Sequence, residues 1–114
     1  MKIDFTWDRK KNYENQRKHT VSFEEAKTVF FDDNARLLHD PDHSEDEQRF
    51  IILGMSIRLR ILIVCHCYRE NDTLIRIISA RKASKNEQKQ YLEYLPWEKN
   101  TIFQNQLKIP TQRN

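Results

Sequence analysis

A chain of 114 residues can close one hydrophobic core and has little left for a second, so a single domain is expected. Six Phe, four Tyr and two Trp beside a charged fraction of 32% exclude a disordered chain and point to a folded protein with a heavily charged surface. No stretch approaches the roughly 20 apolar residues that span a bilayer and Met1 to Phe5 begin no secretory signal, so a cytosolic location is expected.

Phe5 and Trp7 alternate with polar neighbours as a short strand does, and Asp8 can then cap a helix that runs to about His19 and is polar on most sides. Ser22 followed by Glu25 has the spacing of a capping box, with Val21 placed to staple onto Ala26. Phe23, Ala26, Val29 and Phe30 share one face of the second helix that this box starts. A short strand follows over Arg36 to Asp40, and Pro41 with Asp42, His43 and Ser44 makes a turn. Arg49 to Ile57, Leu59 to Arg69 and Thr73 to Arg81 are rich in Ile, Val and Leu and read as three strands, the last two joined by Glu70-Asn71-Asp72. Links this short require antiparallel pairing.

Ser84 and Glu87 repeat the capping-box spacing and start a third helix through Tyr91, Leu92 and Leu95. Pro96 then breaks the pattern. Residues 1–95 are therefore expected to form the domain, and 96–114 a C-terminal extension, either an extra helix or a mobile tail. The predicted fold class is α+β: a small antiparallel sheet with helices packed on one face, in the order strand, helix, helix, strands, helix. The uncovered sheet face is where function is expected.

The chain carries no Gly-rich phosphate loop, no Ser nucleophile elbow and no paired CxxC motif, which argues against nucleotide hydrolysis, acyl transfer and structural zinc. Cys65 and Cys67 share a strand face with His66 on the other, so the three do not converge as metal ligands and the thiols read as reduced. His39 and His43 stand four apart, but Asp40-Pro41-Asp42 between them is a turn and the spacing has no helical meaning. His43, near Glu45 and Glu47, is either a solvated turn residue or a titrating group at the rim of the sheet.

The net charge of +3 is mild, yet it is unevenly placed. Acids crowd Asp32 to Glu47, whereas Arg49, Arg58, Arg60, Arg69, Arg76, Arg81 and Lys82 decorate the apolar segments that follow. Arginine suits phosphate because its planar fork donates two parallel hydrogen bonds. Arg49, Arg60, Arg76 and Arg81 on strands would form a preorganised array able to stabilise charge on a phosphorane. The competing explanation is that they are edge-strand charges that discourage aggregation. Alternation puts Arg76 and Arg81 on opposite faces unless the strand bulges or ends between them. Tyr91, at helical spacing, is either a core residue or part of the rim.

Several blocks together resemble the BrnT toxins, a branch of the RelE-like ribonucleases of type II toxin–antitoxin pairs. They are Phe5-x-Trp7-Asp8 with Asn15, Lys18 and His19, Val21 to Ala26, Asp40-Pro41-Asp42-His43-Ser44 with Glu47-x-Arg49-Phe50, Gly54, Arg76 to Ala83, and the closing Glu87 and Tyr91. The resemblance implies a RelE-like fold and a ribonuclease toxin that inhibits translation by cutting RNA; cleavage is expected to need no metal or cofactor. It also implies a cognate antitoxin of the BrnA kind, and promoter DNA bound only through that complex. RelE-like enzymes rely on basic and aromatic groups, which agrees with an arginine-centred site.

The resulting expectation is that Arg81 and Arg76, with Arg49, bind the scissile phosphate while Glu47 or His43 acts as general base. Tyr91 orients substrate or donates a proton, and Arg49, Arg60 and Lys82 contact RNA. Two rival readings are a nucleic-acid-binding or regulatory module with no chemistry of its own, and an antitoxin-binding protein with vestigial activity.

Overall fold

Each helix begins at a side-chain cap. Asp8 accepts the Lys11 N–H at 3.0 Å and opens α1 (Arg9–His19), which ends where Thr20 turns left-handed at φ 60°. Ser22 accepts the Glu25 N–H at 3.0 Å and opens α2 (Phe23–Thr28), continued by a 3-10 turn over Val29–Phe31. Ser84 opens α3 (Lys85–Glu93) with a complete capping box, its hydroxyl taking the Glu87 N–H while the Glu87 carboxylate takes the Ser84 N–H. The computed structural model describes residues 2–39 and 48–96. The expected turn over 41–44 and the chain beyond Pro96 lie outside them.

Five strands form one sheet: β1 (Asp4–Thr6), β2 (Arg36–His39), β3 (Phe50–Met55), β4 (Ile61–Arg69) and β5 (Leu74–Lys82), in the spatial order β1-β5-β4-β3-β2. The pairs from β2 to β5 are antiparallel, as the short links from β3 to β4 and from β4 to β5 require of those two pairs, and Glu70, Asn71 and Asp72 between β4 and β5 are all left-handed, at φ 52°, 57° and 67°. The sheet is nevertheless mixed and not wholly antiparallel, because β1 runs parallel to β5. Two helices separate β1 from the rest of the sheet in sequence, so no tight hairpin constrains its direction.

The expectation that the helices share one face is corrected by the packing. Val21, Phe23, Ala26 and Val29 join Ile52, Leu62, Val64, Ile77 and Ala80 in one cluster, which places α1 and α2 on one side of the sheet. Leu53, Ile61 and Ile63 point the other way and pack with Ala83, Tyr91 and Leu95, so α3 covers a corner of the opposite face. The cause lies in the strands: β3 and β4 are apolar on both sides at that corner, and both sides demand cover.

Gly54 is the chain's single glycine and sits where the two sides meet at the end of β3. A Cβ there would lie 2.8 Å from the Ala35 Cβ and 2.9 Å from the Val29 Cγ1, so the backbone of β3 can approach the 3-10 turn only without a side chain. Among the described residues, no helix is long and apolar enough to cross a membrane.

Candidate nucleic-acid interface

One irregularity in β5 decides which side chains share a surface. Cys65 of β4 pairs with Ser79, but the next residue, His66, pairs with Ile77, leaving Ile78 as the extra residue of a bulge. The alternation is thereby shifted by one. Arg76 opposes Cys67, Ser79 opposes Cys65 and Arg81 opposes Ile63, and those three β4 residues alternate along one face. Arg76, Ser79 and Arg81 consequently lie on a single face, the one that α1 and α2 leave uncovered, and α3 covers only its far corner. The β4 partners of the two arginines are four residues apart, so their backbones are separated by about 13 Å.

Arg81 is the best-defined cation on this face. Its Nη1 donates to Glu87 Oε1 at 2.7 Å and its Nη2 to Oε2 at 3.0 Å, with a longer bond from Nη1 to the Lys82 carbonyl at 3.3 Å. The guanidinium beside it and the Ser84 N–H together pull the Glu87 carboxyl down to about 2, and the same pairing raises Arg81 above its usual value. Arg76 sits at the other end, beside Thr6 of β1, in a shallow recess of about 410 Å³ that Trp7, Asp8, Arg69 and Leu74 also line. The Lys11 N–H, with Arg76 contributing charge, holds the Asp8 carboxyl below its ordinary range.

Other expected site residues are placed elsewhere. Lys82 opposes Leu62 and faces the α1 side, away from Arg81. Arg60 lies in the β3–β4 turn, where its guanidinium bonds Glu25 through both Nε and Nη2 and reaches the Thr20 carbonyl at 3.0 Å. Burial opposes the Glu25 charge, but the hydrogen bonds from Arg60 and Ser56 overcome it and leave the carboxyl below its usual value. The pair ties α2 to the turn, which is a structural duty.

Tyr91 belongs to the core, only 3% exposed, and its hydroxyl donates to Asp32 at 2.7 Å. Burial and the Asp32 carboxylate together push its ionisation well above the normal tyrosine range. Geometry of that kind anchors α3; it does not present a proton donor to solvent. Arg49 immediately precedes β3 and is half-buried, while His43 and Glu47 lie outside the described residues.

Cys65 and Cys67 lie on the Arg76 face, and His66 points to the other. His66 is fully buried; its Nδ1 donates to the Val64 carbonyl at 3.1 Å, and its Nε2 accepts from the Tyr68 hydroxyl at 3.3 Å. Phe30 and Phe50 pack against the ring. Burial, partly offset by the Val64 bond, lowers its ionisation to about 4, so it is neutral at physiological pH.

Two residues of the family blocks that were not expected in the site shape it. Asn15 supports the β5 backbone beside Arg81, and Glu87, expected as a helix cap and a family-block residue, grips the Arg81 side chain. The six-residue spacing from Arg81 to Glu87 across a strand-to-helix turn is a visible signal for the second. For Asn15 the signals are its place in the first family block and a polar residue in a helix with few apolar ones.

A mixed sheet with two helices on one side, a third at a corner of the other, and arginines on the exposed remainder defines a small α+β protein with a basic sheet face. The chain matches the family model described as "Ribonuclease toxin, BrnT, of type II toxin-antitoxin system" over residues 7–87 and belongs to that family. Among solved structures it is similar to the ribonuclease toxin BrnT of Brucella abortus, with a TM-score of 0.55 and 22% identity, over 73% of this chain and 99% of that one. No curated protein sequence matches the chain.

Proposed function

We propose that the chain is an endoribonuclease that cuts RNA in the cytoplasm without a metal cofactor and so inhibits translation. In this reading it is held in check by a cognate BrnA-like antitoxin and reaches promoter DNA only through that complex. The observation that carries it is the bulge at Ile78, which brings Arg76, Ser79 and Arg81 onto one face, the side opposite α1 and α2. Family membership supports the same reading.

In the proposed reaction the 2′-hydroxyl of one nucleotide attacks the adjacent phosphorus. Glu47 or His43 takes its proton, and the 5′-oxygen of the next nucleotide leaves with a proton from solvent or a protein acid. The products are a 2′,3′-cyclic phosphate and a 5′-hydroxyl. Arg81 stabilises the charge on the phosphorane oxygens, because a preorganised donor acts where charge develops. Arg76, about 13 Å away along the sheet, fits a neighbouring phosphate better than the same one. Arg49 adds a backbone contact.

The test incubates the purified protein with RNA in EDTA and analyses product ends. Cyclic or 3′-phosphate ends are expected, and Arg81→Ala should lower the rate by about 10²-fold or more while the protein stays folded. RNA that is bound but left intact would instead favour a binding module that acts through electrostatic contacts alone.

A further inference from the structure

We infer that Glu87 is a positioning residue, holding one edge of the Arg81 guanidinium so that the opposite edge, Nε–H with the outer Nη2–H, forms a fixed fork for a phosphate oxygen pair. This rests on the ribonuclease reading above and deepens it.

A guanidinium offers two forks that can each hold an oxyanion: an end-on fork of Nη1 and Nη2, and a side-on fork of Nε and Nη2. Glu87 occupies the end-on fork, with both carboxylate oxygens engaged. The outer Nη1–H points back toward the Lys82 carbonyl. Among the described residues, no hydrogen bond involves the Arg81 Nε–H, and the side chain is 44% exposed. The fork that remains is the one that can hold phosphate in parallel bonds.

Glu87 is itself held. Its Oε1 also accepts the Ser84 N–H at 2.8 Å, and its own N–H is capped by the Ser84 hydroxyl at 3.2 Å. The carboxylate is therefore fixed to the first turn of α3, and α3 is anchored to the core by Tyr91 and Leu95. On the other side, Arg81 leaves a strand whose backbone is pinned at Ala80 by Asn15. A flexible arginine would lose side-chain freedom on gripping phosphate, which opposes binding; this one is already ordered. Full neutralisation by Glu87 does not remove the donors, because hydrogen bonds at one edge leave the geometry of the other intact.

The test compares wild type with Glu87→Gln, which keeps an oxygen for the Ser84 N–H and so preserves the helix cap. The expected result is a fall in kcat of about 10²-fold, since loss of alignment acts on the transition state, with KM changed little. Unchanged kcat in a protein whose wild type cleaves RNA overturns the inference. A second measurement does not depend on cleavage. Nitrogen-15 spectra of Arg81 should show separate Nη1 and Nη2 signals in wild type, merged by rotation in Glu87→Gln. An added 2′-deoxy oligonucleotide, which cannot be cut, should shift Nε and Nη2 more than Nη1. Averaged Nη signals in wild type, or a shift confined to Nη1, overturn the inference, whereas absent cleavage with the expected spectra overturns only the nuclease reading.

Discussion

The carboxamide of Asn15 pairs with the backbone of Ala80 in both directions, its Nδ2 donating to the Ala80 carbonyl at 2.8 Å and its Oδ1 accepting the Ala80 N–H at 3.1 Å. β1 ends at Thr6, opposite Arg76, so that side of β5 has no strand partner at Ala80. A side chain from α1 takes the place of the missing strand, one residue before Arg81.

Truncating this amide leaves a buried N–H and C=O without partners, together with the Val21 carbonyl that Asn15 also holds at 2.8 Å. Asn15→Ala should cost about 2–4 kcal/mol. Urea unfolding measures it, and a loss below about 0.5 kcal/mol would show that water replaces the amide.

Arg60 separates a structural from an RNA-binding duty. Removing it leaves Glu25, whose side chain is 4% exposed, without its main counter-charge. Arg60→Ala should therefore lower stability by about 2–3 kcal/mol, toward the low end because the guanidinium is 25% exposed. Affinity for a 2′-deoxy oligonucleotide, measured where the variant is still folded, should be close to wild type. Weakened binding with unchanged stability would restore Arg60 to the RNA surface.

His66 predicts a pH dependence. Its ionisation lies near 6.5 when unfolded and about 4 when folded, so between those values the unfolded state binds more protons and stability falls as pH falls. The stabilisation is complete above about 6.5 and the loss reaches about 3 kcal/mol near pH 4. The Tyr68 hydroxyl beside the ring does not titrate in this window, since burial first and Asp72 second push it above its ordinary value of 10. Glu87 acts in a separate window, its contribution lost only as pH falls from 4.5 toward about 2. Thermal melts across the range check this: His66→Gln should flatten the upper window, and a slope equal to wild type would refute the assignment.

Gly54→Ala forces a Cβ to within 3 Å of Ala35 and of the fully buried Val29, so β3 or the 3-10 turn must shift. A loss of about 1–3 kcal/mol is expected. Because Asp32 of the same region accepts both the Met55 N–H and the Tyr91 hydroxyl, the shift should also loosen α3. Hydrogen exchange at α3 amides reads that second effect; unchanged protection would show that the two are independent.

Local chemistry made the elements legible: caps at Asp8, Ser22 and Ser84, apolar strands over β3 to β5 and the Glu70-Asn71-Asp72 connector all follow from residues close in sequence. The family blocks gave the toxin resemblance, which the family model bears out. Side choice was not legible. Ser22 with Glu25 and Ser84 with Glu87 have the same spacing, yet the Glu87 carboxylate returns to its own cap whereas Glu25 is drawn to Arg60, thirty-five residues away. A carboxylate goes to the strongest donor within reach, and reach is set by the fold.

The same holds for the site. Sequence alone placed Arg76 and Arg81 on the last strand and left their faces to whether a bulge intervened. The structure puts that bulge at Ile78 and turns two opposed arginines into one surface. A period of two is a local property, but an extra residue in one strand is defined only against its partner, so the face of Arg81 was decided by β4.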